Sequence, residues 1–305
     1  MFPRGWIGRP PGLRGDWDWL DYDAVPTASA APEAAMYRLQ PGQLDTLCAI
    51  AGAAGREVLK VYAEPFESWT KDDGSPVTAA DVRADGVIRQ ALAAAFPGVF
   101  VVSEESVSQG PGAVETFFLV DPVDGTKEFL QRNGEFTVNV ALVDRGEPVA
   151  GVVLAPALGQ LYWAARGLGA WRRAWSPDPA AAATQATPLH PSLCGDGSVR
   201  VLVSRSHRDD RTDAWLARLP RRYTTLAAGS SLKFCRLAEG AADLYPRFGT
   251  TCPWDTAAGH CVLACAGGAV VDLGGKPLRY GSRHTDRNPD FLALGDPAWL
   301  RMLTP

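Results

Sequence analysis

Apolar and polar positions alternate with two periods along this chain, and the changes between them mark its elements. A helical pattern begins around Gln43-Leu44-Asp45-Thr46-Leu47 and runs on through Val58-Leu59-Lys60-Val61-Tyr62. Lys71-Asp72-Asp73-Gly74-Ser75 is a turn cluster. A second helix is predicted from Val82 to Phe96, with Thr78 as its N-cap and Pro97-Gly98 as its stop. Val99-Phe100-Val101-Val102 reads as a short strand that ends in Ser103-Glu104-Glu105-Ser106. Thr116-Phe117-Phe118-Leu119-Val120 reads as a buried strand. Strands follow at Thr137 to Val143, Pro148 to Ala155 and Gln160 to Ala165, and the Gly and Pro between them point to antiparallel pairing.

The pattern then breaks. Residues 176–198 are rich in Pro, Ala, Ser and Thr and read as a bridge between two halves. Beyond it lie a strand (Val199 to Ser204), a helix (Asp209 to Leu219), a helix (Leu232 to Gly240) and a strand (Ala242 to Arg247). A last helix opens at Trp254-Asp255 and ends near Gly267-Gly268. Residues 1–35 hold no persistent period and carry five prolines, which predicts an irregular extension.

Composition narrows the function. A length of 305 residues with 46% hydrophobic residues allows a substantial core. A net charge of −4 without a long basic run argues against binding a nucleic-acid polymer, which needs clustered Lys and Arg. It leaves room for a small anionic ligand, because a metal ion can supply local positive charge. Six cysteines form no Cys-x-x-Cys pair and no zinc spacing, so buried thiols in a reducing cytoplasm are expected. No 18-residue apolar span predicts a transmembrane helix, and no secretory h-region is apparent.

The chemistry concentrates in Asp121-Pro122-Val123-Asp124-Gly125-Thr126, expected at the turn where a core strand ends. Pro122 stiffens the backbone and Gly125 permits a conformation that other residues resist. Carboxylates held there are hard oxygen ligands that suit Mg²⁺. Glu104 and Glu105 also follow a strand, and Asp255 opens a helix whose positive end favours a carboxylate. If the strands are neighbours and the helix points at their ends, these groups converge, and convergent carboxylates need cations. Taken singly, Asp255 and Gly229-Ser230-Ser231 read first as helix caps, and Lys233 reads equally as a solvated lysine.

Four pieces in order carry a resemblance: Asp81, Glu104-Glu105, the six residues from Asp121, and Trp254-Asp255-Thr256-Ala257-Ala258-Gly259. The chain resembles the lithium-sensitive, Mg²⁺-dependent phosphomonoesterases, a family that includes inositol monophosphatase and fructose-1,6-bisphosphatase. The likeness spans roughly residues 40–295. Within the family it is most similar to the 3'(2'),5'-bisphosphate nucleotidases of the CysQ type, through Ser75 to Asp81, Gly125-Thr126-Lys127-Glu128-Phe129, Gly229 to Cys235, and Leu244 to Phe248.

The resemblance implies a layered α+β and α/β sandwich of the sugar-phosphatase type. The expected division is the extension over 1–35, a metal-binding α+β unit over 36–185 with a mainly antiparallel sheet, and an α/β unit over 186–305 that completes the site. Glu104, Asp121, the Val123 carbonyl, Asp124 and Asp255 would hold Mg²⁺. Asp81, Thr126 and Glu104 would serve the attacking water. The Gly125 and Thr126 amides would hold phosphate, and His207, Ser230, Lys233, Arg247 and Asp255 would contact the nucleotide. The implied reaction removes the 3'-phosphate of adenosine 3',5'-bisphosphate, or of its sulfated form, clearing a by-product of sulfate assimilation, in a monomer or homodimer. The rivals are an inositol- or sugar-phosphate phosphatase and a non-catalytic nucleotide or metal sensor.

Overall fold

Strand Thr116–Asp124 shows why the fold is layered. Phe117 and Leu119 enter one apolar core while Phe118 and Val120 enter another, so this strand is buried on both faces. The computed structural model describes residues 36–71, 76–106, 114–181, 184–206, 209–283 and 285–303. The expected extension over 1–35, most of the Lys71–Ser75 turn and His207 lie outside them.

The first half opens with α1 (Gln43–Ala63), the short pair β1 (Ser68–Thr70) and β2 (Pro76–Thr78), and α2 (Ala79–Ala95). Then come β3 (Phe100–Ser103), β4 (Thr116–Asp124), α3 (Thr126–Leu130), β5 (Thr137–Asp144), β6 (Glu147–Ala155), β7 (Gln160–Ala165), β8 (Gly169–Ala174) and β9 (Thr187–Pro188). Strands β3 to β9 form one sheet in sequence order; β3 and β4 are parallel and every later pair is antiparallel. The second half holds β10 (Val199–Ser204), α4 (Asp210–Leu216), β11 (Tyr223–Ala228), α5 (Leu232–Ala238) and β12 (Leu244–Arg247), then α6 (Pro253–Ala266), β13 (Ala269–Asp272), β14 (Phe291–Leu294) and α7 (Trp299–Leu303). Its sheet has the order β11-β10-β12-β14-β13.

Three cores separate the layers. Helices α1 and α2 cover one face of the large sheet with Leu47, Val58, Ile88 and Leu92. Helices α5 and α6 fill the space between the two sheets with Phe234, Leu237, Ala257 and Val262. Leu216 of α4 and Trp299 of α7 cover the outer face of the small sheet. The result is alternating helix and sheet layers, as the resemblance implied. Among the described residues no helix is long and apolar enough to cross a membrane.

The close approach of α6 to the large sheet rests on small residues. A Cβ added to Gly151 of β6 would stand 2.6 Å from the Ala258 carbonyl oxygen and 2.8 Å from the Cys261 Cβ. Gly259 of α6 faces α5, where an added Cβ would lie 2.6 Å from the Phe234 ring. The Gly151→Ala variant is therefore expected to lose about 1–3 kcal/mol by overpacking. Thermal denaturation should show a melting temperature lower by about 3–10 °C; an unchanged value would show that α6 has room to shift.

Candidate active site

The acidic residues meet because three elements end at one place. β3 and β4 lie side by side in parallel register, and the Glu104 amide extends that pairing by donating to the Val120 carbonyl at 3.1 Å. Asp121 and Asp124 would face opposite sides of a regular strand. A bulge between them changes this: Asp121 pairs with Asn139 and Asp124 with Thr137, so one extra residue is absorbed where Pro122 has no N–H for the ladder. Residues 137 and 139 share a face of β5, and both aspartates therefore share one too. The turn expected after Val120 is thus a continuation of β4 through Asp124, and the bulge aligns the two carboxylates. Gly125 then adopts φ 89° and leads into α3.

Asp81 and Asp255 occupy equivalent positions in their helices. Each is the third residue of a capping box. Asp81 Oδ2 accepts from the Thr78 amide at 2.8 Å and the Thr78 hydroxyl at 2.7 Å. Asp255 Oδ2 accepts from the Cys252 amide at 2.8 Å. The cap reading of Asp255 and the site reading are therefore both realised, since one oxygen serves the helix while the residue lines the cavity.

Two residues outside the expected site set, Asn139 and Ser231, tie these groups together. The Asn139 amide nitrogen donates to Asp124 Oδ2 at 3.2 Å and to the Ser231 hydroxyl at 2.9 Å. The Ser231 amide donates to Asp124 Oδ2 at 2.6 Å, and its hydroxyl donates to the Asp255 carbonyl at 2.6 Å. The available signal was Asn139 itself, a polar residue in an apolar strand with both faces buried. Lys71 is a third: its ammonium donates to Glu104 at 2.8 Å and to Glu105 at 2.5 Å.

The electrostatics follow from crowding. Burial pushes the Asp121 carboxyl well above the usual range, and the carboxylates of Glu104, Asp124, Asp255 and Asp81 push it further. Burial, then Asp124 and Glu104, do the same to Asp255. Asp124 is also raised by burial, against the opposing pull of Lys233, Asn139 and Ser231. Burial raises Asp81 to about 6 and Glu105 to about 7. Burial alone would lower Lys71, but Glu104 and Glu105 hold its ammonium above the ordinary value.

A cavity of about 440 Å³ opens over this cluster. It brings together Glu104, Asp121, Val123, Asp124, Gly125, Thr126, Ser230, Lys233, Arg247 and Asp255 from the expected set, and adds Lys127. Asp81 is 1% exposed and is not among the lining residues. Lys233 is buried, not a solvated lysine: its ammonium donates to the Ser230 carbonyl at 2.7 Å and the Ala228 carbonyl at 3.3 Å, and sits 5.3 Å from the Tyr245 ring centre. Burial lowers its pKa to about 8.

The donor set suits a hard divalent cation, being four carboxylates and the Val123 carbonyl. Among the described residues no three acidic, His or Cys side chains are yet gathered tightly enough to hold one. In this structure Glu104 is bonded to Lys71 and Asp124 to the Ser231 amide. The neighbouring carboxylates that push Asp121 and Asp255 upward are the charge that a cation would offset.

Comparison with known proteins places this geometry. Residues 43–290 match the inositol monophosphatase family. The 3'(2'),5'-bisphosphate nucleotidase CysQ of Salmonella typhimurium is 46% identical over 257 residues, covering 81% of this chain and 98% of that protein. The crystal structure of CysQ from Bacteroides thetaiotaomicron, a bacterial member of the same family, superposes with a TM-score of 0.72 at 34% identity, covering 83% of this chain and 97% of that one. The Thermotoga maritima IMPase shares the fold, with a TM-score of 0.69 at 22% identity and coverage of 86% and 95%.

The raised carboxyl pKa values make stability depend on pH with a definite sign. Folded values above the unfolded ones stabilise the protein at low pH and lose that stabilisation as pH rises through the folded values. In EDTA the melting temperature should therefore fall from about pH 4 through about 6 and 7, the region where Asp81 and Glu105 titrate. At pH 8, Mg²⁺ at a hundredfold excess over its Kd should restore about 2.7 kcal/mol. A melting curve indifferent to both pH and Mg²⁺ would contradict this account of the cluster.

Proposed function

The chain belongs to the inositol monophosphatase family, and from that premise we propose that it is a Mg²⁺-dependent phosphatase removing the 3'-phosphate of adenosine 3',5'-bisphosphate to leave AMP. The observation that carries this reading is one cavity lined both by the four candidate metal-binding carboxylates, with Glu128 as a fifth acid, and by Lys127, Lys233 and Arg247. The acids suit metal-assisted attack on one phosphate, and the cations suit a second phosphate on the same molecule. Relatives bearing the bisphosphate nucleotidase name at 46% identity support the same substrate. The six thiols, none of them in a disulfide, suit a reducing cytoplasm.

Each residue has a part in this proposal. Glu104, Asp121, the Val123 carbonyl, Asp124 and Asp255 would hold the magnesium, which when bound supplies Lewis acidity to the phosphoryl oxygens and acidifies water. Asp81, with a carboxyl near 6, is suited to accept a proton from the attacking water close to neutral pH. The Thr126 hydroxyl donates to the Val123 carbonyl at 3.3 Å, which leaves its oxygen as an acceptor that orients the water. The amides of Gly125 and Thr126 would bind phosphoryl oxygens at the start of α3. Ser230, Lys233, Arg247 and His207 would contact the rest of the nucleotide. Lys233 also anchors Ser230, a non-glycine residue at φ 44°.

Phosphate release from adenosine 3',5'-bisphosphate, inositol 1-phosphate and fructose 1,6-bisphosphate tests the proposal, with Mg²⁺ and then with EDTA. The nucleotide should win by at least about tenfold in kcat/KM, or about 1.4 kcal/mol, EDTA should stop turnover, and millimolar lithium should inhibit. A reversed substrate ranking would assign the site to inositol or sugar phosphates. The Asp124→Asn variant should lose at least about a hundredfold in kcat while keeping its fold; wild-type turnover in that variant would remove Asp124 from the metal set.

A further inference from the structure

Asp85 lies one turn beyond Asp81 on α2, is only 7% exposed, and has no part in the proposed reaction. Its two carboxylate oxygens take different partners. Oδ1 accepts from the Ser103 hydroxyl at 2.5 Å, and Oδ2 accepts from the Ser106 hydroxyl at 2.5 Å. These two serines flank Glu104-Glu105. The Ser106 amide donates to the Ser103 carbonyl at 3.3 Å, closing the turn that carries the glutamates. Arg89, a further turn along α2, donates to the Ser106 hydroxyl at 2.6 Å and approaches Asp85 at 3.5 Å. A single buried carboxylate therefore grips both ends of the segment that presents Glu104.

We propose that Asp85 is a positioning residue that sets where Glu104 stands relative to Asp81. Helix α2 carries Asp81 and Asp85 on neighbouring turns, four residues apart, and so on one face. The helix places Asp81 directly and places Glu104 through the two serines. The Glu104 backbone is held on its other side by the Val120 carbonyl of β4, which leads into Asp121. With the turn held from both sides, the Glu104 carboxylate reaches the cation site from a fixed origin, even though its side chain is drawn to Lys71 in this structure. A partner of this kind orients a metal ligand without touching the metal, and its loss weakens metal binding by about tenfold or more.

This inference rests on the reading of Glu104 as a metal ligand, so the test measures Mg²⁺ binding as well as turnover. Calorimetric titration of the full chain with Mg²⁺ should show an affinity about tenfold weaker in Asp85→Asn than in the wild type. The double variant Ser103→Ala, Ser106→Ala should show the same loss; it keeps the carboxylate and Arg89, and it answers the question if Asp85→Asn does not fold. Turnover of adenosine 3',5'-bisphosphate should recover as Mg²⁺ is raised, with the nucleotide KM at saturating Mg²⁺ within about twofold of wild type. A merely structural strut would not give a defect that excess metal repairs. If the wild type binds Mg²⁺ and both variants bind it within about twofold, Asp85 has no positioning role. If the wild type binds no Mg²⁺, the metal reading fails and this inference fails with it.

Discussion

Carboxylates buried together repel, and the organisation of this site answers that repulsion. Asp121, Asp124 and Asp255 are raised by burial, and Asp121 and Asp255 further by neighbouring acids. The chain offers each a local donor: the Val123 amide to Asp121, Ser231 and Asn139 to Asp124, the Cys252 amide to Asp255, Thr78 to Asp81 and Lys71 to Glu104. These bonds fix direction without removing the excess of negative charge. A hard divalent cation is the partner that such an oxygen-rich cluster lacks.

The donors also do structural work elsewhere, which makes the site hard to separate from the fold. Asp81 and Asp255 close the first turns of α2 and α6, so the groups that crowd the cavity also start the helices that place them. Ser231 links Asp124 of the large sheet to the backbone of α6, and Lys233 holds the turn before α5. Helix α6 sits between the two sheets because Gly151 and Gly259 let it approach β6 and Phe234. The carboxylates thus come from segments far apart in the chain but from neighbouring ends of packed layers.

The cations of the cavity differ in character. Lys233 is enclosed, with burial drawing its pKa down to about 8 and its ammonium committed to two carbonyls. Lys127 is exposed and Arg247 is half-buried, and both line the same space. An anionic ligand therefore meets one buried ammonium and two more accessible cations along the same cavity.

By itself the sequence determined the order and type of the strongly periodic elements and the identity of the acidic residues. Helices α1, α2 and α6 and strands β4 to β7 carry their period or caps within a few residues, and the motifs from Asp121 and Trp254 are local. Strands β8, β11, β13 and β14 escaped it. β11 is exposed along most of its length, and β13 and β14 have four residues each, so their strand state comes from partners distant in the chain. Tertiary structure alone decided that a bulge puts Asp121 and Asp124 on one face, that Asn139 and Ser231 join two of the acids, that Lys233 is buried, and that Asp85 grips the Glu104 turn. Periodicity and caps are read from neighbours along the backbone, whereas strand phase, desolvation and hydrogen bonds across a hundred residues depend on which surfaces the packed layers bring together.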